Sequence, residues 1–264
     1  IILTQITHLL GIPIKINKLI ISLEKVMKTR EDFPLYQDFL DKFFREEIKK
    51  FSSFKICTDL SVAEKKLLHA RLFMRNKQWD SAIEVLESIE TESTFLKAEK
   101  HAVMGSCFLY MSQYENAAKN SLIAFNFASA LNDRIGMFIT NYNTSVAYNR
   151  IGLDILSYHF INESAKFINN LNQEVLVKRA LACHYSRKCE YKKAITLIEE
   201  LIDKESELRE YDRDVLKTVA ADIYIRAKKY EKALNITLQM KKSFTNREKG
   251  RIFFFHSLLE FLVN

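Results

Sequence analysis

The sequence predicts an all-α fold, a linear array of antiparallel helix pairs, and three observations carry that expectation. Glycine and proline are scarce, 5 and 2 in 264 residues. Few turns can rest on them, so long helices with short polar connections are favoured. An apolar content of 48% beside 28% charged residues belongs to a folded chain and not to a disordered one. Third, one stretch recurs: "NKQWDSAIEVLESI" at 76–89 returns as "MSQYENAAKNSLIA", "KCEYKKAITLIEEL" and "AKKYEKALNITLQM".

Residues 1–60 read as an N-terminal helical segment. The opening "IILTQITHLLGIPIKINKLIISL" is apolar but broken by Gln5, His8, Lys15 and Lys18. It therefore lacks both a membrane-spanning run of about 18 apolar residues and the basic-then-apolar order of a signal peptide. Two short helices around "GIP" fit it, and the pair faintly resembles the second half of a repressor-type helix-turn-helix. Lys15, Asn17 and Lys18 are interleaved with Ile14, Ile16, Leu19 and Ile20, however, which leaves few polar side chains for base edges. A helical cap on the array is the favoured reading. Within 31–60, "FPLYQDFLDKFFREEIKKF" forms an amphipathic helix with Leu40, Phe43, Phe44 and Ile48 on its apolar side, expected to pack against the first repeat.

Residues 61–264 hold the array. Aligned on Ala82, Ala117, Ser157, Ala194 and Ala233, the repeats step by 35, 40, 37 and 39 residues. Twelve residues before each lies a second small residue: Ala70, Gly105, Ser145, Ala182, Ala221. Three after that anchor stands an aromatic: Phe73, Phe108, Tyr148, Tyr185, Tyr224. The aromatic that opens the second helix is Trp79, Tyr114, Tyr191 and Tyr230, with Asp154 in the weaker third repeat, "NTSVAYNRIGLDILSYHFINESA". Small residues let two antiparallel helices approach closely while the aromatics fill the wedge toward the next pair. One pair cannot bury its apolar face alone, but stacked neighbours can. The first repeat reads as helices over about 62–76 and 79–90, with early acidic charge suited to the helix dipole. After Lys242, "TNREKGRIFFFHSLLEFLVN" reads as one more helix capped by Thr245 or Asn246.

This pattern resembles the tetratricopeptide repeat (TPR) over about Ser61 to Lys242. The resemblance implies a right-handed superhelical solenoid of about five repeats plus flanking helices. It departs from the family in lacking the usual Trp-Leu opening, in ending no repeat with proline, and in spacing longer than 34 residues, which implies longer helices or turns. Degenerate arrays of this kind resemble those of bacterial peptide-pheromone-sensing regulators and, more distantly, of response-regulator phosphatases.

Signatures of catalysis are missing. There is no Gly-rich phosphate loop, HExxH, GxSxG or calcium loop. Cys57, Cys107, Cys183 and Cys189 form no CxxC pair and the histidines are scattered, so no metal or cofactor is implied and reduced thiols in a cytoplasmic protein are expected. Cys183 and His184, neighbours on a helix, point about 100° apart. Glu46–Glu47 and Glu199–Glu200 read as solvated faces. The expectation is a protein that is not an enzyme.

The TPR resemblance places the first helix of each repeat along a concave groove. Counting from the anchor, the position one after is Arg71, Ser106, Val146, Cys183, Asp222. Five after is Arg75, Tyr110, Arg150, Arg187, Arg226. Three before is Leu67, Ala102, Tyr142, Arg179, Thr218. Arginine offers a planar fork for carboxylates and phosphates. The expected partner site is therefore Arg71, Arg75, Arg150, Arg179, Arg187 and Arg226 for charge, with Tyr110, Tyr142 and Asn149 for stacking and polar contacts. A competing reading has the arginine column merely complementing the last helical turn.

The expected role is a scaffold or adaptor binding a protein or peptide segment of acidic character. The alternative is the ligand-sensing repeat domain of a bacterial transcriptional regulator. A net charge of +7 permits nucleic acid through the N-terminal segment or a missing domain, although Lys and Arg are interspersed with Asp and Glu. The start at Ile1 and the apolar end suggest a fragment lacking an effector domain, and apolar ends are compatible with a homodimer.

Overall fold

The computed structural model describes residues 28–44, 60–208 and 210–240, which contain eleven α-helices and no strand. They are α1 (Pro34–Phe44), α2 (Val62–Arg75), α3 (Trp79–Glu87), α4 (Thr94–Tyr110), α5 (Tyr114–Ala130), α6 (Arg134–Ile151), α7 (Asp154–Ala165), α8 (Leu171–Arg187), α9 (Tyr191–Ile202), α10 (Glu210–Arg226) and α11 (Tyr230–Leu238). The chain divides between Leu153 and Asp154 into two compact units. The N-terminal unit carries α1 to α6 and the C-terminal unit α7 to α11.

One backbone device ends the first helix of every repeat. Lys77, Ser112, Gly152, Cys189 and Lys228, each seven residues after its anchor, adopt left-handed φ values of 60°, 61°, 87°, 60° and 58°. In all five, the following amide donates back to the carbonyl of the anchor-plus-three aromatic: Gln78 to Phe73, Gln113 to Phe108, Leu153 to Tyr148, Glu190 to Tyr185 and Lys229 to Tyr224, at 2.8–2.9 Å. The left-handed residue's own amide closes the inner bond, as from Lys77 to Met74 at 2.9 Å. This is the Schellman arrangement, which satisfies two orphan carbonyls of the helix end. Only the third repeat places glycine there, which explains how a chain so poor in glycine makes five equivalent turns. The extra repeat length goes into the helices: α4, α5, α8 and α10 have 17 residues and α6 has 18.

The small-residue register is the close-packing register. Ala70, Ala82, Ala117, Ala182, Ala194 and Ala233 are fully buried, with Ser145, Ser157 and Ala221 nearly so. At Gly105 a Cβ would lie 2.7 Å from Ser121 Oγ and 3.3 Å from the Ala117 carbonyl oxygen. The anchor of the second repeat thus meets the aligned alanine of its own second helix. The anchor-plus-three aromatics pack at the edges of these contacts, Phe73 and Phe108 in the N-terminal unit, Tyr185 and Tyr224 in the C-terminal one.

α1 packs on the first repeat, as its amphipathic pattern requires. Phe33, Tyr36 and Leu40 join Leu67, Leu68, Ala70, Phe95 and Leu96 in one buried cluster. Ser61 caps α2 and forms a capping box: its Oγ accepts from the Glu64 amide at 3.3 Å, and Glu64 accepts from the Ser61 amide at 2.9 Å. The expected helices around "GIP", the contribution of Ile48, the pair Glu46–Glu47 and the helix after Lys242 fall outside the described residues. Among those described, no helix is long and apolar enough to cross a membrane.

Candidate partner-binding site

Positions −3, +1 and +5 about each anchor are four residues apart and share one face of the first helix. In the N-terminal unit this face is shared by α2, α4 and α6: a cavity of about 60 Å³ is lined by Arg71, Glu99, Ala102, Ser106, Gly136 and Ile139. Asn143 of α6 donates to the Ser106 hydroxyl of α4 at 3.2 Å.

The structure places Arg71 on this face and pairs it internally. Its guanidinium pairs with Glu99 of α4, and its Nε donates to the Tyr36 hydroxyl at 3.4 Å. Tyr36 in turn donates to Glu99 at 3.0 Å. Arg30, in the 3-10 turn before α1, adds a second cation, 3.2 Å from Glu99 and 2.8 Å from Asp133. Burial by itself would raise the Glu99 carboxyl, but Arg71 and Arg30 outweigh it and hold the group below the usual carboxylate range. Burial likewise works against the charge on Arg71, and Tyr36 and Glu99 more than compensate. Glu99 was within reach of sequence reasoning, because it lies on the row of Ala102 and Ser106 one turn earlier. Arg30, Tyr36 and Asp133 carry no repeat signal.

The remaining candidates of the N-terminal unit stand apart. Tyr110 is exposed and stacks on Trp79, with ring centroids 4.7 Å apart and planes at 8°. Trp79 is thus a surface platform as well as a wedge. Tyr142 is half-buried and parallel to Phe138 at 6.2 Å. Arg75 and Arg150 lie in the last turns of α2 and α6, and the carbonyl of Asn149 accepts the Gly152 amide at 3.2 Å.

In the C-terminal unit the row gathers charge instead of internalising it. Arg179, Cys183 and Arg187 follow one another on α8, with Asp222 and Arg226 of α10 close enough to act on the Cys183 thiol. Burial pushes that thiol up, while Arg187, Arg179 and Arg226 pull it down. Arg179 is half-buried and has no ion pair among the described residues. Arg187 stands 3.7 Å from Asp154, and the half-exposed Arg226 bonds Asp222 at 2.9 Å. Arg187 and Arg226 lie in the last turns of their helices, like Arg75 and Arg150. The aromatic that opens α9, Tyr191, is within electrostatic reach of Arg226, the counterpart of Trp79 against Tyr110.

Cys183 and His184 diverge as their helical spacing requires. His184 stacks on Tyr158 at 4.6 Å, while the Cys183 thiol is within electrostatic reach of Arg187, Arg179 and Arg226. Glu199 and Glu200 serve separate links between helices, Glu199 to Tyr224 and Lys232, Glu200 to Lys178. Among the described residues no group of three or more His, Cys, Asp or Glu could hold a metal ion.

No family model matches the chain, and no curated protein matches it. Solved structures do. TPR-like repeats of a kinesin light chain from Podosopora anserina superpose with a TM-score of 0.52 at 15% identity, covering 66% of this chain and 91% of that one. A single-substitution variant of the same protein gives 0.53 with the same identity and coverage. At that identity the likeness speaks of architecture. The five aligned turns, the buried small-residue register and this superposition agree that the chain has a TPR-like fold of tandem helix pairs.

Proposed function

We propose that this chain is a non-catalytic protein-binding module and that it holds an acidic segment of its partner on the first-helix face of the C-terminal unit. What carries this is that Arg179, Arg187 and Arg226, from two successive first helices, all act electrostatically on the Cys183 thiol. Arg187 reaches Asp154 and Arg226 reaches Asp222, while Arg179 makes no ion pair among the described residues. Open guanidinium forks suit carboxylates, and the half-buried setting screens them less than bulk water would.

The test uses the full chain and a fluorescently labelled glutamate-rich peptide with a free C-terminal carboxylate. Replacing Arg179 and Arg187 together by alanine should weaken binding about tenfold or more. Binding to the unaltered chain should also weaken as salt rises. The melting temperature should move by only a few degrees, because Arg187 stands 3.7 Å from Asp154 in a pair screened by solvent and Arg179 makes no ion pair among the described residues. Equal affinity of the two proteins defeats the proposal.

A further inference from the structure

Residues 30–40 lie outside the repeats yet occupy the first-helix face of the N-terminal unit. Arg30 makes a two-pronged contact with Asp133, Nε to Oδ1 at 3.2 Å and Nη2 to Oδ2 at 2.8 Å. The same Nη2 reaches Glu99 Oε1 at 3.2 Å, and the guanidinium carbon sits 5.0 Å from the centre of the Phe95 ring. Phe33 stacks on that ring at 5.0 Å and Tyr36 meets it edge-on at 6.2 Å. The repeats thus supply two carboxylates and an aromatic platform. The segment supplies a guanidinium and two rings at intervals of three residues. That division of groups is the one found between a receptor and a bound peptide.

Two details lower the cost of releasing Arg30. Glu99 keeps a cation when Arg30 leaves, because Arg71 pairs with it independently. Asp133 is the N-cap residue of α6 but makes no side-chain cap bond while it holds Arg30. Its Oδ2 already stands 2.7 Å from where a Gly136 Cβ would be, beside the third residue of the helix, whose amide a capping carboxylate takes. Loss of Arg30 therefore exchanges one partner of Asp133 for another instead of stranding a buried charge.

We propose that residues 30–40 are an internal ligand of a guanidinium site formed by Glu99, Asp133 and Phe95. A partner segment with an arginine followed by aromatics three and six residues later takes the same site by displacing them. This stands apart from the acidic-segment reading, which concerns the other unit.

Hydrogen exchange on the unaltered full chain comes first. The amides of residues 36–40 should open about tenfold more readily than those of α2 and α4. Equal protection across all three marks a permanent strap and overturns the proposal. Next, a synthetic peptide of residues 28–40 is titrated into the full chain and its Arg30→Ala variant. It should bind the variant about tenfold more tightly than the unaltered chain, where it must compete with the tethered copy. Replacing the peptide's own arginine by alanine, or Asp133 by asparagine, which still caps α6, should abolish the binding. Equal binding to both chains, or none to a folded variant, overturns it. Should Arg30→Ala fail to fold, the exchange measurement decides.

Discussion

The two units use the same helix-pair construction and treat charge on the same row in opposite ways. In the N-terminal unit Arg71 is turned inward onto Glu99, with Arg30 and Tyr36 closing over it, and its side chain is only 16% exposed. In the C-terminal unit Arg226, on the equivalent face, is 50% exposed and pairs with Asp222 on its own helix. The difference comes from what covers the row. Phe33, Tyr36 and Leu40 bury the first; nothing among the described residues does so for the second. An arginine on this face of the first helices therefore has no single meaning. Where an apolar segment lies over it, desolvation forces each cation to find a carboxylate. Where water remains, the same side chain is available to a partner.

The sharpest way to break this comparison is to remove the shared carboxylate of the covered row. Glu99→Ala leaves the Arg71 and Arg30 cations in a desolvated site, with Arg30 still bonded to Asp133. The N-terminal unit should lose about 3–5 kcal/mol. Glu200→Ala, which breaks the exposed link to Lys178 in the C-terminal unit, should cost about 1 kcal/mol or less. Trp79 is the only tryptophan and lies in the N-terminal unit, so its fluorescence during urea unfolding follows that unit. If Glu99→Ala and Glu200→Ala shift that transition equally, the distinction between covered and open rows fails.

Acid should separate the units in the same sense. Glu99 has a depressed pKa in the folded protein, so its contribution is fully present above its ordinary value of 4.5 and is lost as pH falls through the lower folded value. Glu174 and Glu199 are depressed too, by lysine partners, but both are solvent-screened. Below the usual carboxylate range the Trp79 transition should move to lower urea more steeply than the helical signal as a whole. Parallel movement would mean that the buried network contributes no more than the exposed pairs.

A smaller effect is expected at the anchor itself. Gly105→Ala puts a methyl carbon 2.7 Å from Ser121 Oγ and should cost about 1–3 kcal/mol in the N-terminal unit. The C-terminal unit already accommodates alanine at Ala182 and Ala221. Smallest of all is the turn. Lys228→Gly relieves a left-handed backbone at φ 58° and should change stability by about 1 kcal/mol or less, in the stabilising direction. Lys77→Gly should do the same in the N-terminal unit, since the two turns share their hydrogen bonds. Opposite signs in thermal melts would show that the two turns are not equivalent.

The repeat register was legible because it is local. A small residue at the anchor, an aromatic three later and a second small residue twelve later are constraints within one hairpin, and helical periodicity exposes them. Ala70 and Ala82, Gly105 and Ala117, Ala182 and Ala194 all stand buried where that register puts them. The left-handed turn residue was not legible, because Lys77, Ser112, Cys189 and Lys228 carry no glycine mark and only the backbone path demands their conformation. The arginine row could be read as a position but not as a state. Whether Arg71 faces water or Glu99 depends on Arg30, 41 positions away in sequence, and on Asp133, 103 positions from Arg30. The sequence by itself determined the all-α class, the helix pairs and the residues through which they touch, since close approach of two helices requires small side chains at fixed spacing. Only the tertiary structure decided which charges are internal and which are offered outward. Burial sets the cost of an unpaired ion, and burial comes from segments brought together across the chain.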